Sequence, residues 1–121
     1  MIRIQREDFD LNDALDGLEG DVGAVVNFVG VVRHEPSLKA IEVEVYEEMA
    51  LEKMKGIDEM AKEKFGVRDV RIVHRFGTLR PGDNIVHISV SSSHRKEAFE
   101  ACHWLIDELK RIVTIWKKDL R

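Results

Sequence analysis

The stretch "GAVVNFVGVVR", residues 23–33, decides the fold class of this chain. It is rich in β-branched residues and apolar at odd and even positions alike, so it predicts a strand that is central in its sheet or covered on both faces. Gly30 within it indicates a bulge or a close backbone approach. Arg33 ends the strand where a loop begins, which suits either a ligand contact or an exposed end-of-strand arginine.

Further strands are predicted on the C-terminal side of this stretch, most of them joined by short turns. Residues 39–46 and 69–77 alternate between apolar and polar side chains, as half-exposed strands do. Residues 84–92, "NIVHISVSS", follow a turn that contains Pro and Gly. The β-branched run "IVTIW", residues 112–116, indicates a final extended segment.

Three helices are also predicted, one before the first of these strands and two between later ones. Asp10 can cap a short helix that ends at Gly20, and a longer helix of period 3.6 closes at Gly66. The third helix begins with Ser93 as its N-cap and ends near Arg111. The element order predicts one α+β domain over residues 1–121, with an antiparallel or mixed sheet and helices packed on one side of it.

Composition restricts the function. The net charge of −4 argues against general nucleic-acid binding, and no apolar run reaches the roughly 20 residues of a membrane span. The N-terminus has no apolar signal core, so a cytoplasmic protein is expected. The single cysteine, Cys102, excludes an internal disulfide and is expected in the core. Abundant Lys, Arg and Glu with little Pro fit a thermophile.

The stretch "LKRIVTIWKKDLR", residues 109–121, carries a net charge of +4 in an otherwise acidic chain. Lys110 is expected at the helix end and Lys117 in the strand that follows. A lysine desolvated near Trp116, or placed beside other cations, has a lowered pKa and can act as acid, base or nucleophile. The alternative is two solvated lysines at a helix C-terminus, where cations are common.

The stretch "SSSHR", residues 91–95, lies where a strand gives way to a helix. His94 and Arg95, with free backbone N–H groups at the helix start, can receive a phosphate or carboxylate. The alternative is a serine cap followed by exposed polar residues. The five histidines show no metal-ligand spacing, so no metal site is expected, and His74 and His87 are interpreted as ordinary sheet residues.

Five segments in order resemble the large, catalytic subunit family of molybdopterin synthase. They are "GAVVNFVGVVR", "VEVYEEMA", "IVHRFGTLRPGD", "VSSSHRKEAF" and "LKRIVTIWKK", spread from Gly23 to Lys118. The resemblance implies an α/β-hammerhead-type domain that forms a central homodimer. A small ubiquitin-like sulfur-carrier subunit would bind each protomer, giving a heterotetramer. This sulfurtransferase would move sulfur from the carrier's C-terminal Gly-Gly thiocarboxylate to cyclic pyranopterin monophosphate, forming the molybdopterin dithiolene without a metal or organic cofactor.

The resemblance also assigns site residues. It implies that the two lysines are catalytic and that the other four residues line the substrate pocket, with both protomers contributing. The catalytic pair is Lys110 and Lys117, and the pocket set is Arg33, His94, Arg95 and Phe28. The sequence differs from the family at Thr114, where proline is frequent, in the short loop "HEPSLKA", and in ending soon after Lys117. Two alternatives are a non-catalytic homologue that docks the carrier and a regulatory domain that binds an anionic metabolite.

Overall fold

The computed structural model describes residues 1–112 and 114–121. Runs of two or three consecutive strands are separated by helices, and the α+β prediction is confirmed. The strands are β1 (Ile2–Gln5), β2 (Ala24–Val31), β3 (Ala40–Val45), β4 (Asp69–Arg75), β5 (Gly77–Leu79), β6 (Asn84–Ser92) and β7 (Ile115–Leu120). The helices are α1 (Glu47–Phe65) and α2 (Arg95–Lys110), preceded by the short 3-10 helix Leu11–Leu15. No helix of the described residues is long and apolar enough to cross a membrane.

The strands form two sheets, where the sequence predicts one. The first has the order β1-β4-β6-β2 and is mixed, because β1 runs parallel to β4 while the other neighbours are antiparallel. The second has the order β5-β3-β7 and is antiparallel. The chain passes from the first sheet to the second at Gly77. Its φ of 101° turns the backbone directly after β4, and β5 then pairs with β3. Strands β1 and β5 are not predicted from the sequence.

Strand β2 lies at the edge of the four-stranded sheet, so the prediction of a central strand is wrong. In the described chain it pairs with β6 alone, and none of its residues is fully buried. Its register with β6 shifts between Gly30 and Val31, which confirms the predicted bulge. A Cβ added to Gly30 would lie 2.8 Å from Cγ1 of Val86, so the backbone approaches β6 closely as well.

The core lies between the two helices and one face of the four-stranded sheet. Fully buried residues of β4 and β6, such as Ile72 and Ile88, meet Met54 of α1 and Leu105 of α2. Helix α1 ends at Gly66 in the left-handed conformation, as predicted. Packing against the sheet therefore fixes the position of α2 and of the residues at its two ends.

The helix starts agree only in part with the sequence analysis. Asp10 does cap the first helix, since its Oδ1 accepts a hydrogen bond from Asn12 N at 2.9 Å, but that helix ends at Leu15, well before Gly20. Ser93 is not the N-cap of α2, which is His94. The Ser93 hydroxyl instead donates to Asp21 Oδ2 at 2.8 Å. This bond to a residue distant in sequence replaces the hydrogen bond that Ser93 would make as an N-cap.

Candidate active site

A cavity of about 440 Å³ opens between the first sheet, the end of α2 and strand β7. Its walls are mainly apolar, with Val86 and Ile88 from β6 and Ile106 and Leu109 from α2 among them. Four polar side chains also line it: Arg33, His74, Lys110 and Lys117. A concave, apolar site with a few convergent polar groups is typical of small-molecule binding.

The two lysines reach this cavity from different elements, as the sequence predicts. Helix α2 ends at Lys110, and Lys117 lies in β7, opposite Val43 of β3. Both residues are exposed at the rim rather than enclosed. Even so, partial burial of its amine, and secondarily the charge of Lys110, lower the pKa of Lys117.

Trp116 does not supply that burial. It is the neighbour of Lys117 in β7, so the two side chains leave opposite faces of the strand. The indole is 46% exposed and packs edge-on against the ring of Tyr46, with centroids 4.9 Å apart. The charge of Lys110 confirms the predicted effect of a neighbouring cation on the pKa of Lys117, while Trp116 lies on the opposite face of β7.

Arg33 and Phe28 line the same cavity from β2 and the loop that follows it. Phe28 is partly buried and Arg33 is exposed. The backbone before Arg33 is held at Val32, whose N–H donates to the Asp83 carbonyl at 2.9 Å and whose carbonyl accepts from Gly82 N at 2.8 Å. This pairing fixes the backbone next to Arg33, whose exposed side chain lies at the rim of the cavity.

His94 and Arg95 do not reach this cavity in the single chain. They line a different hollow of about 390 Å³ at the start of α2, together with Gly23, Ser93 and Lys96. Because α2 has 16 residues, its first and last residues are about 23 Å apart along the axis. The candidate residues thus form two groups, one at each end of the same helix.

His74 is a cavity residue that the sequence analysis took for an ordinary sheet residue. It is 3% exposed and lies on the floor of the cavity, on the helix-facing side of β4. Burial, and secondarily the charge of Lys117, lower its pKa to about 4 against an opposing hydrogen bond to Arg75, so the imidazole is neutral at pH 7. The available signal was a polar side chain at an inward position of an alternating strand.

Comparison with known proteins identifies the family. Residues 4–112 match the family described as MoaE protein. This chain belongs to the MoaE family. The molybdopterin synthase catalytic subunit of Mesorhizobium japonicum is 42% identical to it, over 99% of this chain and 78% of the relative.

Solved structures agree with that assignment and confirm the predicted fold class. The crystal structure of molybdopterin synthase from Staphylococcus aureus superimposes with a TM-score of 0.90 at 36% identity, covering 97% of this chain and 88% of the other. A complex of subunits 1 and 2 of the molybdopterin-converting factor from Helicobacter pylori superimposes with a TM-score of 0.83 at 25% identity, covering 98% of this chain and 84% of the other.

The remaining candidate ligands and nucleophiles of this MoaE chain lie outside the cavity. Cys102 is buried in the core, as predicted, and burial raises the pKa of its thiol to about 11. His103 is exposed on α2, with Nε2 3.3 Å from Asp107 Oδ2. Within the described residues, no group of three or more His, Cys, Asp or Glu side chains is arranged to hold a metal ion.

Proposed function

We propose that this chain is the catalytic subunit of a molybdopterin synthase. It transfers sulfur from the C-terminal thiocarboxylate of a small ubiquitin-like carrier to cyclic pyranopterin monophosphate, and two carriers in succession complete the dithiolene. The observation that carries this proposal is the convergence of Arg33, Lys110 and Lys117 on the rim of one apolar cavity. Membership of the MoaE family supports it independently.

The cations suit the two reactants. The substrate carries a phosphate and the carrier ends in an anionic thiocarboxylate, so bringing them together requires positive charge. We assign Lys110 to acid–base catalysis or to stabilising the acyl intermediate, and Lys117 to orienting the thiocarboxylate and the substrate. Arg33 would hold the phosphate, and Phe28 would pack against the pterin. No resident metal or organic cofactor takes part in the proposed reaction.

The proposed assembly is a homodimer with one carrier subunit bound to each protomer, a heterotetramer located in the cytoplasm. The carrier is supported by the Helicobacter pylori complex of subunits 1 and 2. The dimer is supported by the separation of the candidate residues, because His94 and Arg95 of the partner subunit would complete a cavity that their own chain does not let them reach. The hollow at the start of α2 would then belong to the neighbouring active site.

Reconstitution tests this function. The purified chain is mixed with thiocarboxylated carrier and cyclic pyranopterin monophosphate, and molybdopterin is quantified. We expect product from the wild type and a loss of at least about a hundredfold in Lys110→Ala and Lys117→Ala. Lys118→Ala is the matched control, because Lys118 neighbours Lys117 but does not line the cavity. Carrier binding without any product from the wild type would instead favour a non-catalytic docking protein.

A further inference from the structure

The polar side chains of the cavity differ in the ligand groups with which they can form hydrogen bonds. Arg33, Lys110 and Lys117 offer only hydrogen-bond donors when charged, which suits a phosphate or a thiocarboxylate. His74 is the one side chain among the described lining residues that can accept a hydrogen bond while uncharged. A ligand that presents N–H or O–H groups to the cavity floor therefore has one side-chain partner there.

The tautomer of His74 is set by its backbone neighbour. Its Nδ1 lies 2.8 Å from the carbonyl oxygen of Arg75, and because a carbonyl only accepts, Nδ1 carries the proton. Arg75 is itself held, since its Nε donates to the Arg6 carbonyl and its Nη1 to the Asn84 carbonyl, both at 2.9 Å. The ring is thus anchored on one side, and Nε2 keeps its lone pair.

We propose that His74 is a substrate-binding residue whose Nε2 accepts a hydrogen bond from an N–H or O–H group of the pterin ring system. This inference rests on the proposed function. The cations at the rim hold the anionic end of the substrate, while His74 on the floor selects the end that carries hydrogen-bond donors. A buried acceptor of this kind rejects ligands that lack the matching donor, because the acceptor would then be desolvated without a partner.

The electrostatics of the cavity favour this role. The charged or titratable side chains that face the cavity are Arg33 after β2, His74 on β4, Lys110 on α2 and Lys117 on β7. Burial and the neighbouring ammonium of Lys117 both oppose protonation of His74. The imidazole consequently remains an acceptor across the neutral pH range, although it lies among cations.

His87 provides a matched control on the same sheet. It is also buried, but His74 pairs with Val86 across the two strands, so the neighbouring His87 faces the other side of the sheet. There its Nε2 is 2.8 Å from Asn27 Oδ1. His87→Gln is therefore a substitution of a buried histidine on the same sheet that does not touch the cavity.

Equilibrium binding of two ligands tests the proposal. Calorimetry measures the affinity of the full-length chain for cyclic pyranopterin monophosphate and, separately, for inorganic phosphate, which has no pterin donors. We expect His74→Leu to weaken pterin binding about tenfold or more while phosphate binding is unchanged. His74→Gln, whose amide oxygen also accepts, should recover most of the loss, and His87→Gln should bind both ligands like the wild type.

Equal loss of both ligands in His74→Leu, or unchanged pterin binding, would overturn the proposal. Should His74→Leu fail to fold, ¹⁵N NMR of the wild type decides: the Nδ1–H tautomer supports it and the Nε2–H tautomer contradicts it. A wild type that binds no pterin at all would reject the proposed function itself. If only the role of His74 is wrong, the wild type still binds the pterin, so the two failures are distinguishable.

Discussion

Arg95 and Lys110 are the first and last residues of α2, about 23 Å apart along its axis. A single small substrate cannot contact both within one chain, although both belong to the predicted site. In a two-fold dimer the same surface of each protomer meets its counterpart, so the start of one α2 can approach the end of the other. The separation is therefore an argument for a shared site.

Mixed dimers should recover activity from two inactive variants. If each site takes Lys117 from one protomer and Arg95 from the other, a dimer of Lys117→Ala with Arg95→Ala contains one intact site and one doubly altered site. Random reassociation of equal amounts should restore about a quarter of wild-type molybdopterin formation. Wild-type protein carried through the same dissociation is the control, and no recovery in the mixture would mean that each site is built within one chain.

The stability of the fold should fall as the pH is lowered. His74 has a pKa of about 4 in the folded chain against 6.5 when free, so between these values the unfolded state binds the proton that the folded state excludes. The free energy of unfolding should drop as the pH falls from 7, by about 3 kcal/mol near pH 4 from this residue. Urea denaturation at several pH values measures it.

The matched variant for that titration is His74→Gln, which cannot protonate. It should show a shallower decline of stability with falling pH than the wild type. Part of the decline should remain, because burial and the charge of Arg71 also lower the pKa of His87. Identical slopes in the two proteins would show that His74 does not carry the effect.

Two glycine substitutions should have opposite effects. Gly56 lies within α1 with nothing within 4 Å of an added Cβ, so Gly56→Ala should stabilise the fold by about 0.5–1 kcal/mol. A Cβ at Gly30 would lie 2.8 Å from Val86 Cγ1 and 3.7 Å from the Phe28 ring, so Gly30→Ala should destabilise by about 1–3 kcal/mol. It should also reduce sulfur transfer, because Gly30 and Val86 both line the cavity and the added methyl group forces Val86 to shift. Thermal denaturation with the reconstituted assay measures both, and unchanged stability in Gly30→Ala would contradict the close approach.

Local features of this chain were predictable because their causes are local. A glycine directly after a helical apolar pattern predicts the end of the helix, and Gly66 does end α1 in the left-handed conformation. Strand β6 likewise has its predicted bounds, residues 84–92. Lys110 at a helix end and Lys117 in a strand followed from the β-branched run between them. Each of these depends on residues within a few positions of one another.

Features set by distant contacts were not predictable in the same way. The apolar pattern of β2 predicts a covered strand but does not say which strands flank it, and β2 lies at an edge. Ser93 would cap α2 were it not bonded to Asp21. Phe99 lies near the apolar face of α2 by its spacing yet is 62% exposed, because α1 and the sheet pack on another side of that helix. The role of His74 likewise depends on elements far from it in sequence.

Cys102 should be dispensable for sulfur transfer. A cysteine that carries sulfur must present a thiolate, whereas the Cys102 side chain is buried in the core and burial raises its pKa to about 11. Cys102→Ala should therefore retain full molybdopterin formation while losing about 1 kcal/mol of stability from the smaller side chain. Iodoacetamide should label the native chain far more slowly than the urea-unfolded chain. Loss of activity in a folded Cys102→Ala protein would contradict this prediction and would mean that the reaction depends on this side chain.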